Sequence, residues 1–188
     1  MRRDLWRWHG RASTGLLIRA VLARRTFRPL FWLRVHQAFK AAGGPWRLAL
    51  PLAWLMHRWS CSAAGLELPL STRIGPGLRI LHGFGLVVNE KAEIGENVTL
   101  FHGVTIGQRD KIAADGRTSL IPRIGDGALI GAYAQILGAQ VGAGATVAPL
   151  SLVREAVPDR AVVAGNPARV VREDAPADIR HLMERDIA

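Results

Sequence analysis

A mainly β solenoid preceded by an α-helical N-terminal region is the fold the sequence predicts, on three observations. From residue 68 onward, aliphatic side chains recur every six residues. The dipeptide Ile-Gly marks that period at 74–75, 94–95, 106–107, 124–125 and 130–131. Residues 1–66 are instead rich in Leu, Arg and Trp, and hold all six tryptophans: Trp6, Trp8, Trp32, Trp46, Trp54 and Trp59.

The helical region also carries the charge. Residues 1–66 contain twelve Lys/Arg against the single acid Asp4, whereas residues 67–188 hold thirteen against fourteen, so the net +10 belongs to one segment. No nucleic-acid reading motif accompanies it, and nucleic acid is not an expected partner. Stretches such as "TGLLIRAVLARR" and "PLFWLRVHQAF" describe helices whose indoles and guanidinium groups suit the headgroup zone of an anionic membrane. They equally describe a helical cap or oligomerisation region with solvated arginines. The longest uncharged apolar run, Leu48 to Met56, is interrupted by Pro51 and is far short of the ~20 residues that span hydrocarbon. It lies too deep in the chain for a signal peptide. The lone Cys61 excludes an intrachain disulfide and a cysteine-rich zinc site and fits a reducing compartment. The expected location is the cytoplasm, with the inner face of its membrane as an option.

The period assigns the second half. Leu68, Ile74 and Ile80, then Val88, Ile94, Leu100 and Ile106, then Ile124, Ile130 and Ile136, then Val141, Val147 and Val153 each step by six. That suits neither a helix nor a hairpin, but it suits a coil in which each hexapeptide gives one short strand and one corner, with glycine easing the turn. A β-sandwich would show alternation with wider turn spacing. Three breaks interrupt the period: a step of eight after Ile80, a step of five after Ile136, and a step of eighteen between Ile106 and Ile124. The last contains "GQRDKIAADGRTSLIPR", expected to be a loop thrown out over 107–123, of the kind that serves binding. The expected organisation is therefore helices over 1–66, solenoid over 67–165, and a tail over 166–188 in which "PADIRHLMERDI" forms a short helix with Ile179, Leu182 and Met183 on one face.

Counting faces places His82 and His102 two residues past Ile80 and Leu100, and Ala132 two past Ile130. The three are expected to share a column at the strand spacing of ~4.8 Å. The solenoid offers these two histidines no third ligand, so no metal is expected. Two stacked imidazoles can also be architectural, holding corner carbonyls, and for His102 that alternative stays open. No G-x-S-x-G nucleophile motif occurs.

The hexapeptide period resembles the left-handed parallel β-helix of the hexapeptide-repeat acyltransferases. Within it, "RIGPGLRILHGFGLVVNEKAEIGENVTLFHGVTIG" resembles the core of the serine O-acetyltransferase family, and "IGAYAQILG" and "AGNPARVV" resemble its coenzyme end and closing motif. The likeness spans about residues 67–171. It implies acetyl-CoA as co-substrate and His82 as the general base that takes a proton from the acceptor hydroxyl, with His102 a possible helper. Glu67 stands where the family places an orienting aspartate, although a plain surface glutamate is the alternative. The resemblance also places Gly107 and Ala132 along the pantetheine channel. Backbone N–H groups around Gly107 and Gln108 are candidates for the thioester oxyanion or the pantetheine amides, and Arg169 for a coenzyme phosphate or for plain solvation. By family analogy and symmetry the chain is expected to form a homotrimer.

Two places depart from the family. Its members carry an aspartate just before the catalytic histidine, where this chain has Leu81, and an Arg-His pair near the loop's end, where it has Leu120-Ile121. A zwitterionic acceptor would leave both charges unpaired. The expected acceptor is therefore a saccharide or lipid-linked saccharide of polysaccharide assembly, met by the loop cations Arg109, Lys111, Arg117 and Arg123. A serine O-acetyltransferase of cysteine synthesis is the alternative, and a non-catalytic scaffold on the same solenoid a second.

Overall fold

The computed structural model describes residues 1–113 and 116–175. Four helices come first: α1 (Arg2–His9), α2 (Thr14–Ala23), α3 (Phe27–Ala42) and, after a 3₁₀ turn over Gly44–Ala49, α4 (Leu50–Ala64). Short strands follow: β1 (Arg73–Ile74), β2 (Arg79–Leu81), β3 (Val87–Val88), β4 (Glu93–Ile94), β5 (Thr99–Phe101) and β6 (Thr105–Gly107). An antiparallel hairpin, β7 (Arg109–Ala113) and β8 (Gly116–Leu120), interrupts the series. The coil resumes with β9 (Arg123–Ile124), β10 (Leu129–Ile130), β11 (Gln135–Leu137), β12 (Gln140–Val141), β13 (Thr146–Val147), β14 (Leu152–Val153), β15 (Val162–Gly165) and β16 (Ala168–Arg172).

Every third strand pairs in parallel, which gives three faces. One orders β2, β5, β10, β13 and β15, with β16 added antiparallel at the end. The second orders β3, β6, β11 and β14, and the third β1, β4, β9 and β12. The pairings Ile80 with Leu100, Leu100 with Ile130, and Ile106 with Ile136 follow from the period of six. A second inward residue lies two positions before each strand aliphatic: Leu78, Leu86, Val98 and Val104 in the early coils, Ala128, Ala134, Ala139 and Ala145 in the later ones, all buried. Each face of a coil thus sends two side chains into a three-sided core, both large in the first coils, as Leu78 with Ile80, and one of them alanine in the later ones, as Ala128 with Ile130.

The chain departs from the sequence-based reading at two segments. Within the 107–123 excursion, β7 and β8 pair as regular antiparallel strands where a loop is expected, with Asp110 opposite Ser119 and Lys111 opposite Thr118. Residues 168–172 extend the first sheet rather than trailing from it. The helix expected in "PADIRHLMERDI" lies outside the described residues.

The helices close the first coil. Leu30 and Leu33 of α3, and Cys61 and Ala64 of α4, join the same apolar core as Leu66, Leu68 and Leu78. The short α1 is fastened by charge. Asp4 is fully buried, and its Oδ1 accepts the N–H groups of Gly77 and Leu78 at 2.9 and 3.2 Å. Arg34 donates to both Asp4 oxygens at 3.1 Å and to the carbonyls of Ile74 and Gly75 at 2.9 and 2.6 Å. Arg7, also buried, donates to the Asn97 carbonyl and to Thr99 Oγ1, and Arg3 pairs with Glu96 at 2.6 Å. Part of the basic segment is therefore consumed inside the molecule.

Burial works against the Asp4 charge, but Arg34 and the N-terminal ammonium outweigh it and hold the carboxyl below the usual aspartate range. A carboxyl whose folded pKa is depressed stabilises the fold above its unfolded value near 4, and loses that contribution as pH falls through the folded value. Thermal unfolding is thus expected to show a progressive loss of stability below about pH 4 in the native chain. Asp4→Asn should lower stability by about 3 kcal/mol at neutral pH, because Arg34 loses its counter-charge, and should flatten that acid limb.

Candidate active site

The step of eight after Ile80 has a structural meaning. Across this corner the ladder runs from Gly103 N–H to the Phe84 carbonyl, from Tyr133 N–H to the His102 carbonyl, and from Leu150 N–H to the Ala132 carbonyl. Phe84, His102 and Ala132 therefore occupy equivalent places, and His82-Gly83 is the two-residue insertion that precedes them. The insertion turns sharply: His82 and Gly83 have φ of 63° and 35°, and Phe84 N–H reaches the His82 carbonyl at 2.5 Å. An imidazole in this left-handed conformation costs backbone energy, of order 1 kcal/mol, as it does for Tyr133 and Leu150 at later corners.

The helices hold the turn in place. A Cβ on Gly83 would meet Thr26 Cγ2 at 2.7 Å, at the start of α3. A Cβ on Gly65, the C-cap of α4, would meet the Phe84 ring at 2.6 Å. His82 is thereby displayed outward, and its ring lies edge-on to His102 with centroids 5.9 Å apart.

His102 in turn lies edge-on to Tyr133 at 5.0 Å. The column continues through Tyr133, the chain's one tyrosine, rather than through the half-buried Ala132. Tyr133 also has a positive φ of 59°, and its ring covers Gly103, where a Cβ would meet it at 2.3 Å. Periodicity fails to find Tyr133 because it sits one residue past the counted position; its signal was an aromatic residue in a corner where the period asks for something small. Half-buried His102 has an Nδ1 that is shielded from solvent and makes no hydrogen bond among the described residues.

The site sheet, β3, β6, β11 and β14, runs from this corner. Its outward positions are Glu67, Val87, Thr105, Gln135 and Leu152, with Glu67 bridged to Val87 at the sheet's lower edge. Glu67 is exposed, and no hydrogen bond joins it to His82 among the described residues. Gly107 ends β6 at the far side of the sheet, where its carbonyl accepts Gly138 N–H at 2.8 Å and a Cβ would meet Leu137 at 3.3 Å. Exposed Gln108 follows and starts the hairpin.

The cations divide. Arg109, mostly buried, lies 3.8 Å from Glu155, and Lys111 is exposed on the same strand. Arg117 pairs with Asp110, whose carboxyl is held low by the Ser119 hydroxyl and by Arg117. Arg123 does not belong with them: it opens β9 on the third face and pairs with Glu93 at 3.1 Å. Counting already places Ile124 on that face, and only proximity in sequence suggested otherwise. Arg169, on β16, is exposed with its guanidinium turned to the Ala168 carbonyl.

Burial under the first coil pushes the Cys61 thiol up to about 11, so it is no nucleophile at neutral pH. Among the described residues no group of three or more His, Cys, Asp or Glu side chains is placed to hold a metal ion.

Comparison with known proteins gives this geometry a family. The chain is 42% identical to serine acetyltransferase 2 of Arabidopsis thaliana over 80% of its own length and 46% of that protein's. The structure of serine acetyltransferase from Brucella abortus in complex with coenzyme A superposes with a TM-score of 0.73 at 33% identity, covering 94% of this chain and 68% of that one. Soybean serine acetyltransferase complexed with serine gives a TM-score of 0.70 at 35% identity, covering 90% and 67%. No protein-family model matches the chain.

The fold is the left-handed β-helix, and the class is that of the hexapeptide-repeat acyltransferases. Within it the chain belongs to the serine O-acetyltransferase-like family. It spans about half the length of the curated relatives it matches.

The seating of the His82 turn can be tested directly. Gly83→Ala adds a Cβ that overlaps Thr26 at a backbone angle disfavouring L side chains. The variant is expected to lose about 2 kcal/mol of stability in thermal unfolding. Any activity that depends on His82 should fall roughly a hundredfold, because the ring moves with its turn.

Proposed function

We propose that the chain is an acetyl-CoA-dependent O-acetyltransferase with His82 as general base. The observation that carries this reading is the His82-Gly83 insertion, which displays an imidazole outward at a strained corner in a chain whose relatives are serine acetyltransferases. The acceptor hydroxyl gives its proton to a neutral His82 ring nitrogen as its oxygen bonds to the thioester carbonyl carbon. Collapse of the tetrahedral adduct breaks the C–S bond, and the departing sulfur takes the proton from the imidazolium. His102, edge-on to His82, keeps the ring from swinging away, and Glu67 is the candidate to orient it from the lower edge of the site sheet. Backbone N–H groups near Gly107 and Gln108 are candidates for the carbonyl oxygen as it gains charge. Because His82 is exposed in one subunit and acyl transfer calls for a shielded site, we infer that a second solenoid of a homotrimer supplies the facing wall.

For the acceptor, the relatives favour serine over the polysaccharide assignment expected from sequence, and serine O-acetylation is the first reading. A second reading, a saccharide hydroxyl, rests on one feature of this chain. Leu81 pairs with Phe101 at the mouth beside His82, and half-buried Leu120 and Ile121 close the hairpin, where the family carries an aspartate and an Arg-His pair. These apolar side chains offer no partner to an ammonium or a carboxylate.

Thiol release from acetyl-CoA, measured with serine and with a panel of sugar nucleotides and lipid-linked sugars, tests both readings. His82→Ala is expected to lower the rate by about 10²–10⁴ while coenzyme binding persists. Serine-dependent release establishes the first acceptor, and release with a sugar alone establishes the second. No acceptor-dependent release, with no coenzyme binding, would leave the solenoid as a scaffold.

A further inference from the structure

We propose that the outward face of α4 and of the 3₁₀ turn before it is a docking surface for an anionic membrane. Leu48, Leu52, Leu55 and Trp59 are spaced four, three and four residues apart, so they form one stripe, and they are 87%, 61%, 53% and 54% exposed. The other side of α4, with Ala53, His57, Ser60, Cys61 and Ala64, is buried. Trp46 and Trp54 flank the stripe, each at least half exposed. Six large apolar side chains on one short stretch exceed the scattered exposure of an ordinary soluble surface.

Charge decides what covers this face. Arg47 lies within the 3₁₀ turn, Arg58 sits with its guanidinium 5.8 Å from the Trp54 ring, and exposed Lys40 stands near the end of α3. The only acid in residues 1–66 is Asp4, which is buried under Arg34. The helical region therefore shows cations and no carboxylate of its own around its apolar stripe. A second copy of the same face would set those cations against one another. Anionic headgroups would neutralise them, with leucines entering the acyl boundary and indoles at headgroup depth. No described helix is long and apolar enough to cross a membrane, so the stripe lies in the interface. A surface depression lined by Trp54, Arg58, Leu66, Glu67 and Leu70 joins this face to the lower edge of the site sheet. Docking would bring that edge to the lipid surface, whatever the acceptor.

Co-sedimentation of the full chain with phosphatidylcholine vesicles, with and without phosphatidylglycerol, tests the proposal independently of catalysis. The chain should sediment with the anionic vesicles, and raised salt should weaken the binding. Arg47→Gln with Arg58→Gln should lower the partition coefficient about 25-fold, at about fivefold per cation. Leu52→Ser with Leu55→Ser should lower it as well. Both double variants should keep the native unfolding temperature and oligomer mass. Equal binding to neutral and anionic vesicles, or unchanged binding in both variants, would overturn the proposal. So would a change of oligomer mass in the variants, which would make this face a contact between copies of the chain.

Discussion

The narrow three-sided core governs the rest of the structure. Each coil must turn three corners within a few residues and still bury two side chains per face, as Ile130 and Ala128 do on the first face. Little slack remains. Gly75, Gly95, Gly125 and Gly142 lie so close to the next coil that a Cβ on any of them would meet its backbone within 3.1 Å. Any extra residue must therefore leave the core, and its side chain is put on display. The insertion at His82-Gly83 and the hairpin between β6 and β9 are such excess segments, and they lie at opposite ends of the strands of one sheet.

The helices supply what the first coil lacks. A solenoid end exposes an apolar cross-section and unpaired strand edges. Leu30, Leu33, Cys61 and Ala64 cover that end, while Asp4, Arg7 and Arg34 satisfy backbone groups of the corner at residues 74–78 and the Asn97 carbonyl. The same helices seat the His82 turn through Thr26 and Gly65, so the capping that makes the fold stable also positions the candidate base.

Much of this was legible in the sequence because a step of six leaves only one pairing scheme. It implied the pairing of Ile80 with Leu100 and the approach of His82 to His102. What escaped has physical reasons. The hairpin is mostly polar, as Asp110, Ser119 and Arg117 show, and Ile112 on it is exposed, so no buried alternation marks its strands. Tyr133 holds a corner that a period of aliphatics does not report. In the basic segment, composition does not separate Arg7, whose acceptors lie 90 residues away in the solenoid, from Arg47, which faces solvent. The family resemblance indicated the chemistry from a few residues, but Leu81 and Leu120-Ile121 led to a saccharide where the relatives point first to serine.

The most direct test of His82 as the base is a crystal structure with coenzyme A bound. The expected result is a pantetheine arm along the site sheet from Gly107 and Gln108, with its sulfur within reach of the His82 ring. Coenzyme seated instead on the third face, where Arg73, Glu93 and Arg123 line a depression, with nothing beside His82, would contradict the assignment and make the histidine column architectural.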